Sequence, residues 1–208
     1  MNAPRPAVRG AWLLSPWVKP ALWALAALPA VWLVVGAATD RLGANPAEAL
    51  IRGTGEWALR LLCLTLAVTP LRVIARLPTV LRLRRVLGLA TFSYAVLHVM
   101  AWGWLDQSLE IADMLRDIAK RPFILVGTAA FLLMLPLALT SSNAAVRRLG
   151  ARRWQALHRA VYAVAGTALL HFFWMRAAKQ RWGEVAVYAA VIGVLLGWRL
   201  WHRLRTSG

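Results

Sequence analysis

Six long apolar runs separated by short charged segments make up most of the chain. They cover about residues 21–39, 54–71, 86–105, 122–140, 154–174 and 182–201. Each run is about 20 residues long, which at ~1.5 Å of rise per residue is enough to cross ~30 Å of hydrocarbon as a helix. The pattern predicts an all-α polytopic membrane protein with six transmembrane helices. Its parts are a cytoplasmic N-terminal segment (1–20), a transmembrane domain (21–201) and a cytoplasmic tail (202–208). The first run, ALWALAALPAVWLVVGAAT, carries no charge. With its basic flank it also fits a cleaved signal peptide, but its length and the later charge pattern favour retention.

Between runs three and four the pattern changes. Asp106, Glu110, Asp113 and Asp117 fall on one helical stripe, with Leu105, Leu109, Ala112, Leu115 and Ile118 on another beside it. This predicts a helix on the membrane surface with its acidic face outward, either simply solvated or a docking surface for a soluble partner. Pro122 suits the first turn of the fourth helix, and Pro136 predicts a kink in it. In the second run Glu56 and Arg60 are one turn apart. They read as a self-neutralising pair near the surface; the alternative is that Arg60 meets a cofactor carboxylate.

Composition agrees with the pattern. Hydrophobic residues make up 60 % of the chain, mean hydropathy is +0.57, and there are 12 tryptophans, a residue favoured at membrane interfaces. The net charge of +17 would suit a nucleic-acid binder, but its placement argues otherwise. Of the 25 Lys and Arg, 16 lie on the N-terminus, the 72–85 and 141–153 segments, the C-terminus and the helix ends beside them; the other 9 share the opposite side with all 8 acids. That bias orients the chain with both termini in the cytoplasm. The single cysteine, Cys63, sits in an apolar run and reads as a packing residue. It excludes an internal disulfide, a cysteine-based metal cluster and C-x-x-C-H haem attachment. No acid lies in the core of a run, which excludes a carboxylate proton relay. No nucleophile with a base and no nucleotide motif is present, so no catalytic residue is assigned.

Ionisable side chains inside spans are costly and point to function, and here they are histidines. His98 lies about 18 Å into the third span and His171 about 25 Å into the fifth, at ~1.5 Å per residue and both counted from the inner end. His158 is only about 6 Å in. The spacing predicts that His98 and His171 face each other at similar height. Such a pair suits the axial ligation of a b-type haem, held without covalent attachment. The small residues Ala160, Ala163, Gly166, Thr167 and Ala168 precede His171 and would leave room for a flat macrocycle; Thr91, Tyr94, Ala95 and Trp102 lie within two turns of His98. His158 has no evident partner on span three, where Arg84 stands 14 residues before His98. His202 is in the basic tail.

The segments RRVLGLATFSYAVLH, RPFILVGTAAFLLMLPLALTSS, RRLGARRWQALHRAVY and HFFW, in this order and spacing, resemble the MsrQ (YedZ) family. These are haem-binding membrane subunits of bacterial MsrPQ systems, within the ferric-reductase-like transmembrane group. The resemblance implies an inner-membrane protein with haem b and also FMN. It implies electrons arriving from the quinone pool or a cytosolic flavin reductase. They would leave to a periplasmic molybdenum enzyme, MsrP, that reduces methionine sulfoxide in oxidised proteins, a reversible lesion. The family's candidate ligands fall on His98, His158 and His171. Larger relatives carry two histidines on each of these spans and hold two haems. One histidine on span three here favours one haem near the periplasmic side. No motif locates a flavin: Arg84, Arg85, Arg152 and Arg153 could meet a phosphate, and positive-inside charge explains them equally. Two other readings stay open, a stand-alone transmembrane reductase of ferric ions or oxygen, and a haem-free membrane scaffold.

Overall fold

Backbone in lipid must satisfy its own polar groups, and a single segment does so only as a helix. The computed structural model describes residues 9–177 and 180–206, and it is all-α, with no strand among the described residues. The helices are α1 (Val18–Ala38), α2 (Pro46–Ile74), α3 (Leu83–Ala101), α4 (Ile111–Lys120), α5 (Pro122–Leu139), α6 (Asn143–Leu149), α7 (Ala151–His158), α8 (Val161–Ala177) and α9 (Trp182–Thr206). Five stretches are long and apolar enough to cross a membrane: α1, α2, residues 78–106 around α3, α5 and α9. The chain is a multi-pass membrane protein.

The expected fifth span is not one helix. It breaks at Arg159–Ala160, leaving α8 with 17 residues, about 25 Å long. The break follows from how α7 is anchored. The Trp154 indole N–H donates to the Thr140 carbonyl at 2.8 Å, and Thr140 Oγ1 lies 3.1 Å from His158 Nε2. The Trp154 and His158 rings stack at 3.9 Å. Held to the end of α5, α7 turns into α8 through tighter i→i−3 bonds, Ala160 N–H to Leu157 O and Tyr162 N–H to Arg159 O, both 3.0 Å.

The bundle is built from pairs. α3 packs along α2, α8 along α5, and α9 closes against α8 and α2. One core joins Leu59, Leu62, Cys63 and Leu66 of α2 to Val164, Ala165 and Phe172 of α8 and Val185 and Ile192 of α9. Cys63 is thus a buried packing residue. A second core joins Leu61 and Val68 of α2, Leu87 and Ala90 of α3 and Ala26 of α1.

α1 is held by an inserted hydroxyl. Tyr94 Oη donates to the Ala26 carbonyl at 2.7 Å and accepts from the Ala30 N–H at 2.9 Å, so it bridges two backbone groups one turn apart beside Pro29. Tyr94 is buried. Tyr94→Phe leaves two backbone groups without their partner, and we expect a loss of about 1–2 kcal/mol. Thermal unfolding in detergent would read it; an unchanged midpoint would show that α1 closes its own ladder.

Over its described part the N-terminal segment is folded: Ala11–Leu14 form a 3-10 turn, Leu13 is buried, and Thr79 Oγ1 donates to the Gly10 carbonyl at 3.1 Å. At the C-terminal end α9 continues through His202 to Thr206. The acidic stripe is split. A π-helical turn, Trp102–Asp106, prolongs α3, Ser108 and Leu109 have positive φ, and α4 starts only at Ile111. Asp117 is drawn back to Gln107 and Arg121, at 3.1 and 2.7 Å. Residues 1–8 and 207–208 of the predicted terminal segments lie outside the described residues. At the basic end, Arg85 Nη2 donates to Asn143 Oδ1 at 2.7 Å. With the Thr79 contact, this gathers the N-terminal segment and both basic loops at one end of the bundle.

Candidate functional site

His98 comes from the last turn of α3 and turns toward α2. Its Nδ1 lies 2.8 Å from the Ile51 carbonyl oxygen. A carbonyl can only accept, so this bond puts the proton on Nδ1 and leaves the Nε2 lone pair free. His171 on α8 repeats the arrangement against α5, with Nδ1 2.6 Å from the Phe123 carbonyl oxygen. In both cases the ring lies flat enough on the neighbouring helix to reach its backbone. Gly55 stands under His98 and Gly127 under His171. No hydrogen bond engages Nε2 of either ring among the described residues.

The two rings meet. Their centres are 6.1 Å apart and their planes are inclined by 73°. Imidazole–metal bonds run about 2 Å, so two rings on opposite sides of one metal have centres about 6 Å apart. α3 and α8 themselves do not pack closely; α2 and α5 hold them at diagonal corners. Among the described residues, no three His, Cys, Asp or Glu are grouped to hold a bare metal ion. Two imidazoles at this separation instead fit a metal that brings its own equatorial ligands, as haem iron does. One turn beyond His98, the buried Trp102 indole N–H has no hydrogen-bond partner among the described residues. It sits in the π-helical turn, a distortion common at functional sites, and an acceptor on a bound group would satisfy it.

Ala163 and Gly166 are exposed, and nothing lies within 4 Å of a Cβ built at Gly166. Thr167 and Ala168 fall nearer the His171 face by helical angle, and Ala160 precedes α8. His158 is not part of the pair. It ends α7 at the opposite, basic end, bound to Thr140 and stacked on Trp154. Arg84 lies within electrostatic range of it.

Sequence reasoning missed a charged cluster beside the histidines. Glu56 accepts from Arg60 Nη2 at 3.1 Å and also from Arg176 Nη2. Arg176, only 2 % exposed, pairs with Glu184 at 3.0 Å as well. Arg60 Nε donates to Tyr188 Oη at 3.2 Å. These groups border a cavity of about 510 Å³ between α2, α8 and α9. The sequence showed the Glu56–Arg60 pair. Arg176 looked like a loop residue because only tertiary packing returns it to Glu56. Arg199 was overlooked similarly: it is buried over the Tyr162 ring and donates to the Leu66 carbonyl.

Comparison with known proteins bears on this geometry. The family described as ferric reductase like transmembrane component matches residues 54–169, which include His98 and end two residues before His171. A protein-methionine-sulfoxide reductase heme-binding subunit MsrQ of Polaromonas naphthalenivorans is 57 % identical over 93 % of this chain and 89 % of its own length. The subunit of the same name from Ralstonia nicotianae is 56 % identical over 88 % of this chain and 85 % of its own. That from Bordetella pertussis is 49 % identical over 90 % and 92 %. No solved structure matches the chain. The chain belongs to the ferric-reductase-like transmembrane family and, within it, to the MsrQ group.

Proposed function

We propose that this chain is the haem-carrying electron-transfer subunit of a methionine sulfoxide reductase system in a bacterial inner membrane. The observation that carries the reading is the His98–His171 pair, two rings 6.1 Å apart with both Nδ1 atoms tied to carbonyls. Metal-bound histidines characteristically donate their other ring N–H in this way. His98 and His171 would hold one b-type haem through Nε2. A haem bound there supplies reversible one-electron carriage at its iron. The chain's own residues orient the ligands and surround the site with apolar helices.

In this reading α8 is a short sixth crossing and the basic end is cytoplasmic. The histidine pair then lies toward the periplasm, near a periplasmic reductase (MsrP) that would perform the chemistry on the sulfoxide. The printed names of the relatives support the haem and the reductase system. Quinol or a cytosolic flavin reductase is the proposed donor, with FMN included on family grounds. Arg152, Arg153 and Arg159 border a cavity of about 480 Å³ at the basic end, where a flavin phosphate would meet positive charge.

The test is a dithionite-reduced minus oxidised spectrum of the purified protein with a pyridine haemochrome count. Low-spin b-type bands at about one haem per chain, the one axial pair the site offers, are expected. A colourless protein from cells supplied with haem precursor would sink the proposal. His158→Ala is expected to keep the haem and at most shift its bands, since His158 is bound to Thr140 at the other end. Loss of the haem in that variant alone would overturn the ligand assignment.

A further inference from the structure

The two histidines are seated by the same backbone device on two different helices. In each, a carbonyl at position i takes the imidazole N–H and a glycine stands at i+4: Ile51 with Gly55 on α2, Phe123 with Gly127 on α5. The spacing has a physical reason. Every Cα–Cβ bond in a helix tilts toward its N-terminus, so the Cβ at i+4 leans back over the turn that holds carbonyl i. Only glycine leaves that carbonyl open to a flat ring from the side. The carbonyl has two lone pairs and can accept from the ring while keeping its helical bond.

The distances show how closely the rings use this opening. A Cβ at Gly55 would stand 3.0 Å from both Nδ1 and Cε1 of His98. At Gly127 it would stand 2.7 Å from Nδ1 and 2.8 Å from Cε1 of His171. Gly36 and Gly53 are as crowded, at 2.7 Å, but only by the flexible ends of Leu42 and Leu33; at Gly88 the nearest atom is 3.8 Å away, and at Gly166 nothing lies within 4 Å.

We propose that Ile51/Gly55 and Phe123/Gly127 are positioning pairs that seat His98 and His171 and hold both in the Nδ1–H tautomer, with Nε2 unprotonated and turned to the shared gap. The inference rests on the proposed haem function for the role of Nε2, but the tautomer itself can be read without haem. An added methyl at 127 pushes the ring off the carbonyl. The Nδ1 proton then loses its acceptor and the nitrogen offered to the gap changes. Because the Gly127 contact is the tighter, Gly127→Ala acts more strongly on His171 than Gly55→Ala does on His98.

The experiment is nitrogen-15 NMR of histidine-labelled, full-length protein in lipid, depleted of haem, together with haem retention after reconstitution. In the unsubstituted protein both rings are expected as Nδ1–H. Gly127→Ala is expected to move His171 toward Nε2–H, leave His98 unchanged, and lower haem affinity about 10- to 100-fold, the usual cost of losing such an outer partner. Gly88→Ala should alter neither readout. If Gly127→Ala does not accumulate in the membrane, the milder Gly55→Ala gives the same reading at His98. Nε2–H rings in the unsubstituted protein, or glycine variants with unchanged tautomer and haem affinity, would overturn the proposal. Failure of the unsubstituted protein to bind haem would sink the haem reading alone, and the tautomers would still decide this one.

Discussion

His98→Ala and His171→Ala are each expected to leave a full-length protein that no longer retains haem. A b-type haem is held by coordination and apolar contact, so losing one axial ligand removes half of its bonded attachment. No substitute stands nearby. Each ring occupies a seat between its own helix and a neighbour's backbone, and His158 is bound to Thr140 beyond the break between α7 and α8. Disturbing an outer-shell partner of a metal ligand costs about 10- to 100-fold in affinity, and loss of the ligand itself should exceed that. Haem per chain, counted as pyridine haemochrome against total protein, should therefore fall to background in both variants while the apoprotein stays in the membrane. Full occupancy in either variant would mean that the 6.1 Å ring pair is a packing feature.

The second large effect is expected at the charged cluster. Arg176 is 2 % exposed and bonded to Glu56 and Glu184, and Glu56 is also shared with Arg60. Removing one partner of a buried ion pair leaves a charge without compensation, typically at a cost of 3–5 kcal/mol. Glu56 is a quarter exposed and Glu184 still reaches Arg176 in Glu56→Ala, so a smaller loss, about 1–3 kcal/mol, is expected. Arg176→Met should cost less. It removes the buried charge itself, fills the space over Phe172 with an apolar chain, and leaves Glu56 paired with Arg60. Thermal unfolding in detergent ranks the two variants. If Arg176→Met were the more damaging, the cluster would owe its stability to packing of the arginine stem and not to charge compensation.

The cluster also shows what local sequence conveys. Glu56 and Arg60 are four apart, and their pairing is a property of one helix. Their link to Arg176 spans 120 positions and exists only because α8 packs beside α2. The alternative in which Arg60 meets a cofactor carboxylate finds its nearest acceptor within the chain, at Glu56. In the same way the acidic stripe at 106–117 obeyed helical spacing on paper. The positive φ at Ser108 and Leu109 interrupts it, and periodicity carries no record of a backbone turn.

The sequence by itself determined the all-α membrane architecture, the grouping of basic segments and the two histidines worth pairing. All three follow from the cost of placing polar backbone and charge in hydrocarbon, which a single chain reveals residue by residue. Depth also follows from sequence, since rise per residue is constant. Tertiary structure alone decided the rest. It broke the fifth span, because Thr140 holds Trp154 and His158 from another helix. It also chose which nitrogen of each imidazole is tied to backbone, because that depends on a carbonyl 47 positions from His98 and another 48 from His171. Glycines at 55 and 127 are two among 14 in the sequence. Their role depends on the ring that lies against them, and that contact is formed only when the helices pack.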